Sequence, residues 1–522
     1  MSHRVHGWRT FAVFPLLAVL LAADCCGQDT DSRLEFTISM PEPASATFHV
    51  RLDITGVPGD SLTVKMPNWT PGYYALMYYS RDVRNLSAVD GEGNPLEVEQ
   101  PADNSWRIMH QNNEQIIVEY EVVNNRRLFI ANSYLDEERA FIQPTTLLMY
   151  VEGMIEHPVT LNLQPPKDWP HVATGLEPVE GEPFAFTAPN FDVLFDSPIQ
   201  VGTLDSLPTF EVQGVPHHFV GYELGEFDRE QFIKQLQRIV QAATDIIGDV
   251  PYKHYTFIGI GRGQGGLEHI NSTAIPFNGA RITKRTLAFI AHEYFHHYNP
   301  KRIRPIELGP FDYDDGSPTK MLWVAEGVTV YYQHLILNRA GITSRRELLE
   351  SLRSTIVGFE NTPGRLYQSA TEASMLVWEQ GQFGGDKQRT INYYQKGPAL
   401  GLLLDFALRH HSTNEKSLDD VMRLLYSRYY KTLQRGYTED EFWDACEELA
   451  GTDLTEVREY TSTTKPLDYN KYLGYAGLQI KLPQEQSEDP LAPEELKNYF
   501  QITEVENPSE LQDAILNSWS RK

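Results

Sequence analysis

One short segment constrains this chain more than any other: His292-Glu293-Tyr-Phe-His296, set in an apolar run that begins at Thr286 and ends at Pro300. The apolar spacing predicts a helix. Residues four apart lie on one face of a helix, so the two imidazoles can reach the same metal ion. Glu293 is offset by one residue and can contact a water on the metal rather than the metal itself. The alternative is a structural helix with two satisfied histidines.

The third ligand that such a site requires is predicted on a second apolar helix, Met321 to Leu337. A single carboxylate, Glu326, stands there among Trp323 and Val324. A buried acid is costly unless it is paired or binds a metal. Glu326 lies 30 residues after His296, far enough to return on a neighbouring helix. It is the candidate third ligand, and an acid that faces solvent is the alternative.

A further helix is predicted to open near Thr390, and it carries the pair Tyr393-Tyr394. A phenol directed at a metal site can donate a hydrogen bond to the oxyanion that forms there. Tyrosine pairs also occur commonly as core residues, so the residue types alone leave both interpretations open.

A glycine cluster from Gly261 to Leu267 follows a predicted strand and ends just before Glu268. No Gly-Lys-Ser/Thr follows it, which disfavours phosphate binding. Glycines such as Gly265 and Gly266 instead allow a backbone to approach a bound peptide closely. A carboxylate in this position could hold a protonated amine, and a surface acid in a turn is the alternative.

Charge and cysteine content exclude several classes of protein. The 45 basic and 71 acidic residues give a net charge of -26, which disfavours nucleic-acid binding. Cys446 is the only one of three cysteines outside the leader, so neither a disulfide framework nor a cysteine-rich metal site is expected. Any metal must use histidine and carboxylate ligands.

The N-terminus is typical of a secretion signal, and we assign residues 1–27 to it. Arg4 and Arg9 precede a short apolar run, Phe11 to Ala23. The expected location is periplasmic, secreted or, with a lipid tether on Cys25 or Cys26, attached to the cell envelope. A short retained anchor is the alternative. No other apolar stretch is long enough to span a membrane, so the mature chain is expected to lack a transmembrane helix.

The chain predicts a multidomain α+β protein. Residues 28–204 show short alternating segments typical of a β-sandwich. Residues 205–343 are mixed and carry the metal motif, 344–465 are helical, and 466–522 form a short mixed tail. The aromatic loop, defined as Pro67–Tyr74, is predicted to be a packed corner of the sandwich.

Four motifs occur together in one order: Gly265-Gly-Leu-Glu268-His269, His292-Glu-Tyr-Phe-His296 continuing through Asn299-Pro-Lys-Arg-Ile-Arg-Pro305, Trp323-Val-Ala-Glu326-Gly, and Tyr394-Gln-Lys-Gly397. Together with the aromatic loop, these four motifs make the sequence resemble the glycyl aminopeptidase family of gluzincin metallopeptidases over roughly residues 35–480. Family members usually end in a PDZ-like domain, and the tail here is short enough to suggest a truncated one.

The resemblance implies a thermolysin-like catalytic domain with zinc on His292, His296 and Glu326. It further implies that Glu293 is the general base, that Tyr394 donates to the oxyanion, and that Glu268, with Gly265 and Gly266, binds the substrate.

The function this predicts is a zinc-dependent metalloaminopeptidase. It would remove N-terminal residues, small ones such as Gly or Ala favoured, from peptides with a free N-terminus by means of a zinc-activated water. A non-catalytic peptide-binding or scaffolding protein and a zinc endopeptidase are the alternatives. Glu293 disfavours the first, because binding alone needs no base, and Glu268 disfavours the second. The sequence does not predict an oligomeric state.

Overall fold

The computed structural model describes residues 32–124, 129–280, 282–381, 384–481 and 500–521. The predicted signal peptide and the two leader cysteines lie outside these residues. The predicted architecture is confirmed: an N-terminal β-sandwich, a mixed catalytic region and a helical part follow one another along the chain.

The N-terminal part is built from strands in which every second residue is buried, as in Thr47–Thr55. Its largest sheet has seven strands, antiparallel except for one parallel pair, Arg33–Ser39 with Val159–Gln164. In sheet order these strands are Glu177–Val179, Glu182–Ala188, Val159–Gln164, Arg33–Ser39, Thr47–Thr55, Gln115–Val123 and Val83–Asp90. The inward-facing residues form one core, with Phe36 opposite Leu52 and Leu52 opposite Val118.

Two four-stranded sheets complete this part. One contains Tyr150–Val151, Ser61–Lys65, Ser105–Met109 and Glu97–Ala102. The other contains His171–Thr174, Ile199–Gly202, Arg139–Ile142 and Tyr134–Leu135. The short helix Phe191–Phe195 lies between strands Glu182–Ala188 and Ile199–Gly202 and packs into the sandwich core.

The catalytic region has a six-stranded sheet whose centre is parallel and whose last strand, Leu267–Glu268, is antiparallel to Ser272–Ile275. The remaining strands are Asp205–Ser206, Phe210–Val212, Val215–Gly221 and Tyr255–Gly259. Two helices lie against them: Arg229–Ile247, and Lys284–Phe295, which we call the metal helix. Both bury an apolar face, as the spacing of their apolar residues predicts.

The rest of the described chain is mainly helical and shares one hydrophobic core with the catalytic region. Its α-helices are Thr329–Arg339, Arg345–Glu360, Ala370–Met375, Val377–Gln380, Tyr393–His411, Leu418–Leu425, Glu439–Ala450, Thr455–Ser462, Tyr469–Tyr475 and Glu510–Trp519. None of the helices in the described ranges is both long and apolar enough to cross a membrane.

The C-terminal tail packs into this core where it is described. The strands Leu478–Lys481 and Gln501–Glu504 pair, and Glu510–Trp519 follows. Trp519 is fully buried, and its indole Nε1 donates to the hydroxyl of Tyr331 at 2.7 Å. Residues 482–499, which separate the two strands, lie outside the described residues, so the truncated PDZ-like module stays a prediction.

Two expectations need correction. The aromatic loop does not simply form a corner of the sandwich, because Trp69 donates to the carbonyl of Asp312 at 2.6 Å and Tyr74 belongs to the core of the catalytic region. The helix predicted from Met321 is also irregular, since Trp323–Val328 is a π-helical segment that precedes Thr329–Arg339. A second π-helical segment, Tyr426–Leu433, directly follows the α-helix Leu418–Leu425. Apolar spacing does not distinguish a π turn from an α turn.

Two glycines allow the π-helical segment to approach helix Tyr393–His411 very closely. A Cβ atom placed on Gly327 would lie 2.5 Å from the Cα of Gly397, and one placed on Gly397 would lie 2.6 Å from the Cα of Gly327. Side chains do not fit in that space, so the two helices touch backbone to backbone.

We expect Gly327→Ala to destabilise the protein by about 1–3 kcal/mol, because the helices must separate. Gly358→Ala is the matched control: Gly358 also lies in a helix, but its added Cβ meets no atom within 4 Å. That change should be neutral or stabilise the helix by about 0.5–1 kcal/mol. Thermal and urea unfolding of both variants measure the difference, and equal stabilities would contradict the proposed close packing.

Candidate metal centre and active site

The metal helix presents its two histidines near its C-terminal end. The helix begins with a capping box in which the Thr283 hydroxyl accepts from the backbone N–H of Thr286 at 3.3 Å. His292 lies in the last turn. His296 follows the final helical residue but keeps helical dihedral angles, with φ -59° and ψ -25°. The two imidazoles therefore remain on one face.

The three predicted ligands come together. The Nε2 atoms of His292 and His296 are 2.9 Å apart, and Oε2 of Glu326 lies 3.7 Å and 3.2 Å from them respectively. Zinc bonds of about 2.0–2.1 Å in a tetrahedral site place ligand atoms about 3.3 Å apart, so this donor set fits such an ion. Within the described residues no other group of three or more His, Cys, Asp or Glu residues is arranged to hold a metal.

Asn299 joins the two elements that carry the ligands. Its backbone carbonyl accepts a hydrogen bond from Nδ1 of His296 at 2.7 Å, which directs Nε2 of that ring into the site. Its side-chain amide donates to the carbonyl of Val324 at 2.9 Å, inside the π-helical segment. One residue thus aligns the metal helix with the segment that carries Glu326. Sequence reasoning did not single it out, although it lies in the motif that follows His296.

Charges in the site are strongly coupled. Burial works against ionised Glu326, but the two imidazoles hold its pKa well below the usual range. Burial also opposes a charge on His296, yet Glu326, Glu268 and Glu293 raise the pKa of His296 to about 9. Burial and the neighbouring His296 lower the pKa of His292 to about 4. A divalent ion must therefore displace the proton on His296 in order to bind.

Glu293 lies beside the ligands and is 5% exposed. Its Oε2 has no hydrogen-bond partner among the described residues. Burial, with the charges of Glu268 and Glu326, raises the pKa of this carboxyl to about 8. Gly266 explains how it is enclosed: a Cβ there would lie 2.5 Å from Oε1 of Glu293.

Glu268 is on the edge strand Leu267–Glu268 and is 4% exposed. Its Oε1 makes no hydrogen bond to any described residue, and the nearest cation is the Nζ of Lys301 at 3.5 Å. That ammonium is held by Asp196 at 2.8 Å, so it is shared between two carboxylates. Neither Lys301 nor Asp196 was identified from the sequence. Gly265, whose φ is +77°, lets this edge pack against Ile130 of the sandwich.

Tyr394 is half-buried in the first turn of helix Tyr393–His411, and its ring centre is 6.2 Å from that of His292. Burial, with the negative charge of Glu326, raises the pKa of its phenol well above the ordinary value. The hydroxyl is therefore protonated and can donate. The structure thus gathers all the predicted polar site residues around one centre.

Tyr74 was missed. It reaches the site from the aromatic loop, is 3% exposed, and donates from its hydroxyl to Oε1 of Glu326 at 3.0 Å. The unusual density of aromatic residues and turns in that loop was visible in the sequence, but its partner was not.

Residues of the site border two cavities. A cavity of about 500 Å³ is lined by Gly72, Tyr74, Glu268 and Lys301. A second one, of about 560 Å³, is lined by Tyr393, Tyr394 and residues of the helical part. The first cavity thus borders Glu268, and the second borders Tyr394.

Comparison with known proteins agrees with this geometry. The Peptidase M61 N-terminal domain model matches residues 35–203, and the M61 glycyl aminopeptidase model matches residues 285–400. Among solved structures, an aminopeptidase N family protein from Idiomarina loihiensis is 28% identical, with a TM-score of 0.79 over 86% of this chain and 79% of that one. No curated protein compared with this chain matches it.

More distant structures share the fold. An M1 zinc metallopeptidase from Deinococcus radiodurans is 13% identical, with a TM-score of 0.53 over 83% of this chain and 94% of that one. Yeast LTA4 hydrolase in complex with bestatin is 15% identical, with a TM-score of 0.51 over 84% of this chain and 67% of that one.

The fold, the buried ligand set and these matches together define an enzyme of the zinc metallopeptidase class. Because the two domain models of one family together match more than half of the residues, the chain belongs to the M61 peptidase family.

We expect one metal ion per chain, lost in His296→Ala because two remaining ligands cannot hold it tightly. His297→Phe is the matched control: His297 is the next residue and equally buried, but its ring packs against Tyr298 and Tyr294. Elemental analysis of purified protein measures both. Unchanged metal content in His296→Ala would eliminate this site.

Proposed function

We propose that the protein is a zinc aminopeptidase that removes N-terminal residues, with small ones such as Gly or Ala favoured, from peptides with a free N-terminus. The observation that carries this proposal is Glu268, a buried carboxylate beside the three candidate ligands, one oxygen of which has no hydrogen-bond partner among the described residues. Such an oxygen can accept from a protonated α-amine. The M61 glycyl aminopeptidase match supports the preference for a small first residue.

Zinc is the ion that best suits two imidazoles and a carboxylate. When bound in such a site, it supplies Lewis acidity, making a water nucleophilic near neutral pH and polarising a carbonyl oxygen. His292, His296 and Glu326 would hold it.

Glu293 then moves the protons. It accepts one from the attacking water and passes it to the amine that leaves when the C–N bond breaks. The enclosed position of Glu293, beneath Gly266 and next to the ligands, suits this transfer because bulk water is excluded.

Tyr394 is the candidate donor to the substrate carbonyl, because its ring lies beside that of His292. Its protonated hydroxyl donates to the oxygen on which negative charge develops, an interaction that strengthens in the transition state.

Tyr394→Phe should accordingly lower kcat more than it changes KM. Equal kcat and KM for this variant and the unaltered enzyme would show that Tyr394 does not have this role.

Glu268 fixes the distance between the chain end and the scissile bond. With Asp196 and Lys301, the local charge is that of two carboxylates and one ammonium, which leaves room for one more positive charge. A substrate α-ammonium supplies that charge. An acetylated N-terminus does not, so a blocked peptide leaves the carboxylate uncompensated.

The two alternatives make different demands on these residues. A scaffold that only binds peptides has no use for a buried base at Glu293. An endopeptidase must pass its substrate through the position that Glu268 and Lys301 occupy, and a buried charge there favours a chain end.

We expect Glu293→Gln to retain zinc and to reduce turnover by about 10²–10⁴-fold, because the amide keeps the shape but cannot accept a proton. The comparison with His296→Ala separates loss of the base from loss of the metal. Zinc content and kcat on a glycyl amide substrate are measured together. Near-normal turnover in Glu293→Gln would place the chemistry elsewhere.

We expect free glycyl and alanyl substrates to be cleaved and their acetylated counterparts to be spared. Glu268→Gln should lower kcat/KM for free amines by about 10–150-fold, since a charge-assisted hydrogen bond contributes about 1.5–3 kcal/mol. Glu156→Gln is the matched control. Glu156 lines the same 500 Å³ cavity as Glu268, but it belongs to the sandwich and is exposed to solvent. Equal cleavage of free and acetylated peptides by the unaltered enzyme would favour the endopeptidase.

A further inference from the structure

The aromatic loop Pro67–Tyr74 leaves the β-sandwich and is fixed to the catalytic region along its length. The backbone N–H of Asn68 donates to the carbonyl of Tyr313 at 2.8 Å, and the indole of Trp69 donates to Asp312. Behind it, the hydroxyl of Thr70 lies 2.8 Å from that of Tyr79 and 2.6 Å from that of Thr145, both in the sandwich. The loop is therefore held from both sides.

At this junction each part of the protein inserts one tyrosine into the core of the other. Tyr74 of the sandwich domain is buried in the core of the catalytic region, whereas Tyr313 of the catalytic region is buried in the core of the sandwich. Each is at most 3% exposed. Such an exchange fixes the relative position of the two parts, because neither ring can leave without exposing apolar surface.

At the end of this loop, Tyr74 meets Glu326. The two carboxylate oxygens have different partners: Oε2 faces the imidazoles of His292 and His296, and Oε1 accepts the hydrogen bond from Tyr74. Without that bond the buried acceptor Oε1 would lose a hydrogen-bond donor. The carboxylate would also be freer to rotate about its last side-chain torsion. The phenol thus selects which oxygen faces the ligand position.

The same loop also touches Glu268. Gly72 has a φ of +94°, and a Cβ on it would lie 2.8 Å from Oε1 of Glu268 and 2.7 Å from Cδ1 of Leu267. Its backbone consequently forms one wall beside the carboxylate. A single sandwich loop borders both the candidate metal ligand and the candidate amine-binding residue.

We propose that Tyr74 is a positioning residue for the metal ligand Glu326, so that the N-terminal β-domain supplies a structural part of the metal centre. The proposal rests on the proposed function only in requiring zinc at His292, His296 and Glu326. Tyr74 acts through Glu326 rather than on the substrate. Its loss should therefore appear first in metal affinity.

The test is the zinc dissociation constant of the full chain, measured by competition with a chelator, for the unaltered protein, Tyr74→Phe and Tyr73→Phe. We expect Tyr74→Phe to bind zinc about 10–100-fold more weakly, the usual effect of removing a hydrogen bond to a ligand. Tyr73→Phe is the matched control: it makes the same chemical change on the same loop, but the Tyr73 ring packs on Phe129 and not on Glu326. Its dissociation constant should stay within about 2-fold.

A second measurement uses only the unaltered protein and so does not depend on how the variants fold. Because coupling is reciprocal, zinc that is held through Glu326 and Tyr74 should also restrain the loop. Hydrogen exchange of the amides in Pro67–Tyr74 should slow when zinc is added to the metal-free protein. Exchange in the distant strand Thr47–Thr55 should not change.

The outcomes separate two failures. If the unaltered protein binds no zinc, the proposed metal site fails and this inference fails with it. If it binds zinc tightly but Tyr74→Phe matches Tyr73→Phe, or if zinc leaves exchange in the loop unchanged, then only the role of Tyr74 is wrong. Weaker binding in Tyr74→Phe alone, with slower loop exchange in the unaltered protein, supports it.

Discussion

A buried carboxylate is the constraint on which the rest of this structure depends. Glu326 is 2% exposed and lies in an apolar helical segment, where an unpaired charge would cost several kcal/mol. Two imidazoles of the metal helix and the Tyr74 phenol of the aromatic loop contact it. The fold must therefore bring the metal helix, the π-helical segment and the sandwich loop to one point.

Small and polar residues allow this convergence. Gly327 and Gly397 remove the side chains that would keep the π-helical segment away from helix Tyr393–His411, and so Tyr394 comes close to Glu326. Asn299 hydrogen-bonds to both ligand-bearing elements. Gly266 lets the sheet edge cover Glu293. These residues take no part in the chemistry, but each sets a distance on which the chemistry depends.

The N-terminal sandwich is more than a neighbouring domain in this arrangement. It supplies Tyr74 to the candidate metal ligand Glu326, Gly72 to the wall beside Glu268, and Asp196 to the ion pair with Lys301. The surroundings of Glu268 and Glu326 are thus shared between two parts of the chain that have separate cores. A change in how they pack would alter the surroundings of Glu326 and Glu268 together.

The sequence by itself determined most of the elements and the candidate ligands. Apolar periodicity located the sandwich strands and most helices, since burial of one face repeats every second residue in a strand and about every 3.6 residues in a helix. Residue chemistry identified His292, His296 and Glu326, because few other side chains hold a divalent ion.

Tertiary structure alone decided what periodicity does not encode. The π turn at Glu326 depends on contacts with Asn299 and Gly397, and the roles of Tyr74, Lys301 and Asp196 depend on partners more than a hundred residues away in the chain. Such long-range contacts leave no pattern in the local sequence. Each of these residues is of a common type within its own segment, and it acquires its role only when the two parts of the chain pack together.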